Sequence, residues 1–184
     1  MLKKLKGLFT SKSVDPKFVC SCCGKEHSEW PSLGYNAPVY YSILSDDAKN
    51  EIAELSSDFC VIRHNDQTDR FIRVVLKMPV HGHCRDMEYG LWVSLSEKSF
   101  EDYQDNYNDK NREGGYFGWT SNNLEGYENT LSIPVDVYLQ PNGFRPLIVP
   151  HQSHDHPLVY DYYNGIPLVE AEKRINCVIQ KSAN

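Results

Sequence analysis

The stretch Phe59–Leu76, FCVIRHNDQTDRFIRVVL, decides the fold. Its ends, FCVIR (59–63) and RFIRVVL (70–76), are β-branched and aromatic runs, and the polar HNDQTD between them predicts a hairpin with a loop rather than a tight turn. Downstream, YGLWVSL (89–95) alternates, with Tyr89, Leu91, Val93 and Leu95 on one face and Gly90, Trp92 and Ser94 on the other, as a strand requires. IPVDVYLQP and RPLIVP, bounded by prolines, supply two more strand candidates. Helical patterns fall around these. Ser45 can cap DDAKNEIAELS, where Ala48, Ile52 and Leu55 have helical spacing. Ser96 can cap a second helix carrying Phe100, Tyr103 and Tyr107. Pro167 suits the first position of a third helix, with Leu168, Ala171, Ile175 and Val178 on one face. Strands in succession with helices between only some of them predict an α+β domain with an antiparallel sheet and flanking helices. The segment GGYFGWTSNNLEGYENT reads as a turn whose Tyr116, Phe117 and Trp119 pack inward; exposed, the same rings beside Asn122 and Asn123 would form a recognition surface.

Composition restricts the function classes. The chain has 184 residues, enough for one sizeable core, and a net charge of −6 argues against a sequence-independent nucleic-acid binder while leaving a basic protein partner open. Positive charge gathers at the start, where Lys3, Lys4, Lys6, Lys12 and Lys17 face only Asp15. Residues 1–17 are therefore expected to be a flexible basic segment and 18–184 a single domain. This head lacks the uninterrupted apolar core of a secretory signal, and no stretch approaches the ~20 apolar residues of a spanning helix. Six cysteines without such a signal, two of them the adjacent Cys22 and Cys23, point to a reducing cytoplasm rather than a disulfide framework.

FVCSCCGKEHSEW (18–30) carries the strongest local motif. Cys20 and Cys23 form a CxxC followed at once by Gly24, which relieves the backbone where the second thiolate folds back, and His27 is near enough to supply a third ligand. The expected occupant is one structural zinc. A closed tetrahedral site needs a fourth ligand, for which Cys60 in its strand is preferred and His156 comes second; His81, His83 and Cys84 of HGHC and His151 and His154 of HQSHDHP are the other candidates. A redox CxxC is less apt, because no helical period follows it. The histidine segments together with Asp155 raise a competing expectation, a metal-dependent hydrolase. No nucleophile elbow and no phosphate loop is present, and no catalytic residue is assigned.

The succession FVCSCCGKEH, SDFCVI, RFIRVVLKMPV, YGLWVSLSEKSFEDY, YFGWTSNNLEGYENTLSI, RPLIV and DHPLVYDYYNGI resembles the bacterial family called domain of unknown function 2199, from about Phe18 to Ile179. The resemblance implies a bacterial, single-domain protein and supplies no reaction. It places Cys20, Cys23, Gly24 and His27 on the family's knuckle, Cys60 on its strand and His156 on its DHPL segment. Arg73, Trp92 and Trp119 fall in family-like segments, where Arg73 is expected to make a structural pair. The expected protein is a cytoplasmic, zinc-stabilised, non-catalytic binding module using an acidic, Tyr-rich face against a basic protein partner. An immunity-like role fits the same charge and size.

Overall fold

The computed structural model describes residues 17–19, 26–28 and 32–182, and the chain divides into two compact units, Met1–Trp30 and Pro31–Asn184. In the first, β1 (Lys17–Val19) pairs antiparallel with β2 (Glu26–Ser28), which sets His27 opposite Phe18. The loop that joins them, with Cys20, Cys23 and Gly24, lies outside the described residues, as does the basic head before Lys17.

The second unit opens with β3 (Leu33–Gly34), α1 (Val39–Ser42), α2 (Asp46–Ile52), β4 (Ala53–Leu55), β5 (Phe59–Arg63) and β6 (Thr68–Met78). It continues through β7 (Val80–His81), β8 (Met87–Leu95), α3 (Glu97–Asp105), β9 (Gly115–Thr120), β10 (Pro134–Tyr138) and β11 (Leu147–Pro150), and ends in α4 (Pro157–Asn164), β12 (Ile166–Pro167) and α5 (Leu168–Ser182). The predicted hairpin is present: β5 and β6 pair antiparallel, with Cys60 opposite Phe71. Both predicted serine caps also form, the Ser45 side chain accepting from Ala48 N at 3.2 Å and that of Ser96 from Ser99 N at 3.2 Å.

The sheet is mixed rather than wholly antiparallel. Along one edge β6 pairs with β8; along the other it pairs with β5 and then meets β11 in a parallel contact, Leu147 opposite Val75. A second parallel contact joins β3 to β8. Because β8, β9, β10 and β11 are also paired in sequence, the order returns to β6, and five strands close into a small barrel extended by β3, β5 and β4. Closure removes free strand edges from the ring and commits one face of every strand to the interior. That face carries Ile72, Val74, Leu76, Tyr89, Leu91, Val93, Val135, Val137 and Ile148, each 0–2% exposed, and burial of each large apolar side chain contributes about 1.5–3 kcal/mol.

Part of the outer face has its own cover. Cys60, Ile62, Phe71 and Trp92 form a second apolar cluster beneath Tyr35, Tyr41, Leu44, Ile52 and Ala53. The Trp92 indole N–H donates to Tyr35 O at 2.9 Å, and Asn122 both accepts from Trp92 N and donates to Ala37 O, at 2.8 Å each. Segment 35–53 is thereby strapped across β5, β6 and β8.

Three expectations are corrected. The first helix stops at Ile52, and Leu55 enters β4 instead, opposite Cys60, because sheet pairing overrides the local helical spacing. The third begins at Leu168, with Pro167 in β12 just before it. The segment read as a turn contains strand β9, whose Phe117 and Trp119 point outward, 46% and 43% exposed. Only Tyr116 turns in, against Tyr103, donating its hydroxyl to Asp102 Oδ2 at 2.7 Å.

Candidate functional site

Interior positions being filled, chemistry is confined to the outer face and the loops. On that face lie Val75 and Lys77 of β6, Glu88 of β8, Phe117 and Trp119 of β9, Asp136 and Tyr138 of β10, and Leu147 and Val149 of β11, as the register dictates. Phe117 and Trp119 pack edge to face at 5.0 Å, and His151 sits 5.4 Å from Phe117 with its Nε2 3.1 Å from Asp136 Oδ1.

Two adjoining clefts run beside these strands. The first, about 610 Å³, is walled by Tyr138, Tyr162 and Tyr163 over Leu147 and Val149, with Asp86 at its margin. Tyr162 and Tyr163 meet edge to face at 5.1 Å, and the Tyr163 hydroxyl is tied to Pro150 O at 2.8 Å. Burial pushes the Tyr162 hydroxyl pKa up, with Tyr163, Asp86 and Tyr138 adding to the shift. The second cleft, about 520 Å³, lies over Val75 and Leu147 between Phe144, Arg145 and Glu88. Lys77, Gln140 and Leu147 line both, making one groove with two lobes.

Arg112 shapes the wall of the second lobe. It is 4% exposed, donates to Tyr107 O (2.8 Å), Phe144 O (3.0 Å) and Gln140 O (3.3 Å), and stacks on Tyr103 and Tyr107. The backbone between Gln140 and Phe144 turns through Asn142 and Gly143 at φ of 60° and 76°, a conformation that Asn and Gly tolerate best. One buried guanidinium thus fixes the carbonyls on both sides of this turn and with them the position of Phe144.

The groove also carries a charge pattern. Lys77 is paired with Glu88 at 3.6 Å, and Arg145 Nε with Asp58 Oδ1 at 2.6 Å. Asp86 forms no ion pair among the described residues. Burial raises the Asp58 carboxyl pKa, but hydrogen bonds from Arg145 and Ser57 and the Arg145 charge outweigh it, and the net effect holds it below its ordinary value.

Of the predicted metal ligands, His154 and His156 are brought together, their rings 6.3 Å apart beside a cleft that Asp155 also lines. Cys20 and Cys23 lie outside the described residues, and only the backbone of His27 is described. Cys60 is 0% exposed within the outer apolar cluster, where burial, reinforced by the Asp69 charge, pushes its thiol up to about 12. His156 is fully engaged in protein structure: its Nδ1 accepts from Leu158 N at 3.0 Å as the N-cap of α4, and its Nε2 lies 2.8 Å from Glu128 O, so Nε2 carries the proton. His83 Nδ1 is turned to the Arg85 backbone, and His81 lies against Gly165. Among the described residues no three His, Cys, Asp or Glu side chains converge as a metal set. The histidine centre expected of a hydrolase is therefore not assembled there.

Sequence reasoning missed Tyr138, Phe144, Arg145, Asp58 and Arg112. The chain's 12 tyrosines were the only advance signal, and only for Tyr138. It also expected Arg73 to be structurally paired, yet Arg73 makes no ion pair among the described residues, because the nearby Asp58 is occupied by Arg145 and Ser57.

The class defined by these features is a small closed β-barrel with helical flanks and an aromatic outer groove. The chain belongs to the bacterial family described as "Uncharacterized protein conserved in bacteria (DUF2199)", whose model matches residues 19–166. No curated protein and no solved structure matches it. No helix among the described residues is long and apolar enough to cross a membrane.

Proposed function

We propose that the protein is a non-catalytic cytoplasmic binding module whose groove receives a basic segment of a protein partner. The observation that carries this reading is the first lobe, where Tyr138, Tyr162 and Tyr163 surround Leu147 and Val149 beside Asp86, a carboxylate without an ion-pair partner among the described residues. Aromatic faces attract a Lys or Arg side chain by about 0.5–1 kcal/mol each at exposed sites, and an adjacent carboxylate adds a charge-assisted hydrogen bond. The net charge of −6 would steer such a partner toward the surface. An immunity-like antitoxin against a basic protein is one form this activity would take.

Calorimetric titration with a tetralysine amide, at several salt concentrations, tests the reading. Saturable binding that weakens at least fivefold in Asp86→Asn and in Tyr162→Ala is expected. Binding that neither substitution changes would place any basic partner elsewhere.

A structural zinc held by Cys20, Cys23, His27 and Cys60 is proposed alongside, supported by the CxxCG spacing with His27 four residues beyond Cys23. Elemental analysis should find one zinc per chain. Loss of that zinc in Cys60→Ala would identify the fourth ligand; full retention would exclude Cys60.

A further inference from the structure

The lobe over Val75 has Arg145 in its wall, and Arg73 precedes Val75 on the same strand; the basic-segment reading uses neither arginine. Arg73 is on β6, two residues before Val75 and on the same outward face. Arg145 approaches from the loop before β11, at the point where the partner of β6 changes from β5 to β11. There Arg73 N donates to Asp58 O (3.0 Å) and Val75 N donates to Pro146 O (2.9 Å).

Both side chains lean on the Ser57–Asp58 turn. Arg145 gives its Nε to Asp58 Oδ1, and Ser57 Oγ donates to Asp58 Oδ2 at 2.7 Å, so both carboxylate oxygens are engaged. Arg73 has one long contact, from a terminal nitrogen to Ser57 O at 3.5 Å. Its Nε is buried without a hydrogen-bond partner, the one side-chain nitrogen or oxygen in that position among the described residues. A buried donor left this way costs free energy unless an oxygen meets it. The neighbouring guanidinium adds to the strain: burial lowers the Arg73 pKa and the Arg145 charge lowers it further, against a smaller opposing effect of Asp58. Asp58 can balance only one of the two cations, and a local excess of positive charge remains in a chain of net charge −6.

Space beside the pair is kept open by glycine. Gly34 lies opposite Gly90, which lies opposite Val75, so two adjacent strand positions carry no side chain. A Cβ at Gly34 would come within 3.3 Å of a terminal nitrogen of Arg73.

We infer that Arg73 and Arg145 form a receptor for an oxyanion, a phosphate or a carboxylate, carried by a ligand lying over Val75. Planar guanidinium groups present forked N–H donors that match either anion, and such an anion on the terminal nitrogens would supply the missing charge and replace the long Arg73 contact to Ser57 O. The receptor is independent of the tyrosine lobe, and each can fail without the other.

Its test is a titration of the full chain with inorganic phosphate and, separately, with acetate, at constant ionic strength set by chloride, following the Nε–Hε resonance of Arg73 by NMR. A saturable shift of that resonance, weakened at least tenfold in Arg145→Met, is expected. Saturation by phosphate alone would identify a phosphate ligand, and saturation by acetate alone a carboxylate such as a chain terminus or an acidic side chain. A shift that fails to saturate with either ion, or one unchanged in a folded Arg145→Met, would overturn the inference. If Arg145→Met does not fold, Gly34→Val gives the second arm: its side chain would crowd Arg73 without touching Asp58, and an undiminished shift there would equally overturn it.

Discussion

Gly126→Ala should destabilise the protein by about 3 kcal/mol, and most of that loss should depend on Arg174. Gly126 sits at φ of 91°, where an L side chain costs about 1 kcal/mol. The added Cβ would stand 2.4 Å from Arg174 Nε and under 3 Å from its Cδ and Cζ, so that side chain must leave. Arg174 is 6% exposed; it pairs with Glu170 at 2.9 Å and Asp161 at 3.5 Å, and lies 4.2 Å over the Tyr127 ring. Breaking a fully buried pair costs about 3–5 kcal/mol, but Asp161 and Glu170 are partly solvated, so about 2 kcal/mol is expected here. For a chain of this length the sum corresponds to a fall in Tm of about 6–12 °C. A double-mutant cycle by urea unfolding isolates the mechanism: in an Arg174→Ala background, Gly126→Ala should cost only about 1 kcal/mol, leaving a coupling near 2 kcal/mol. Additive losses would refute the steric link, and an undisturbed Gly126→Ala would refute the backbone argument as well.

Asp58 sets an acid limit. Its folded pKa lies below its unfolded value of about 3.9, so its contribution is complete above that value and disappears as pH falls through the folded pKa. Asp58→Asn should lose about 2 kcal/mol at pH 7 and show a shallower decline in stability below pH ~4; an unchanged acid limb would mean Asp58 is not the group responsible. Cys60, fully buried, should resist iodoacetamide at pH 8 in the folded protein and react once urea unfolds it. Alkylation of the native protein at an exposed-thiol rate would contradict the burial.

Much of the fold was legible because its strands are regular where they are β-branched. FCVIR, RFIRVVL and YGLWVSL needed no tertiary information, and neither did the two serine caps. Strand β9 was hidden by Gly115 and Gly118, residues that lower strand propensity and that close packing demands here. A Cβ at Gly115 would stand 2.3 Å from Val137 O, and one at Gly118 would stand 2.9 Å from Ser94 O. The same neighbours that make β9 a strand forbid the residues that would announce one. The parallel contacts of β3 and β11 rest on one or two residue pairs each, too short to leave a periodic trace. His156 was legible as a histidine but not as a cap; the signal for α4 was Pro157 at its first position.

The groove escaped notice for a different reason. Its walls come from β6, β10, β11 and α4, and closure of the barrel, which no local pattern encodes, brings them together. Closure also separates stability from recognition, because the interior face supplies the core while Tyr138, opposite Leu147 on the outer face, remains 48% exposed. Tyr138→Ser should accordingly change the urea midpoint by the equivalent of no more than about 0.5 kcal/mol, as exposed substitutions do, while weakening tetralysine binding severalfold. If Tyr138→Ser instead unfolded the protein, the ring would belong to the framework, and the division between a filled interior and a working exterior would fail at the residue where it is most directly exposed to test.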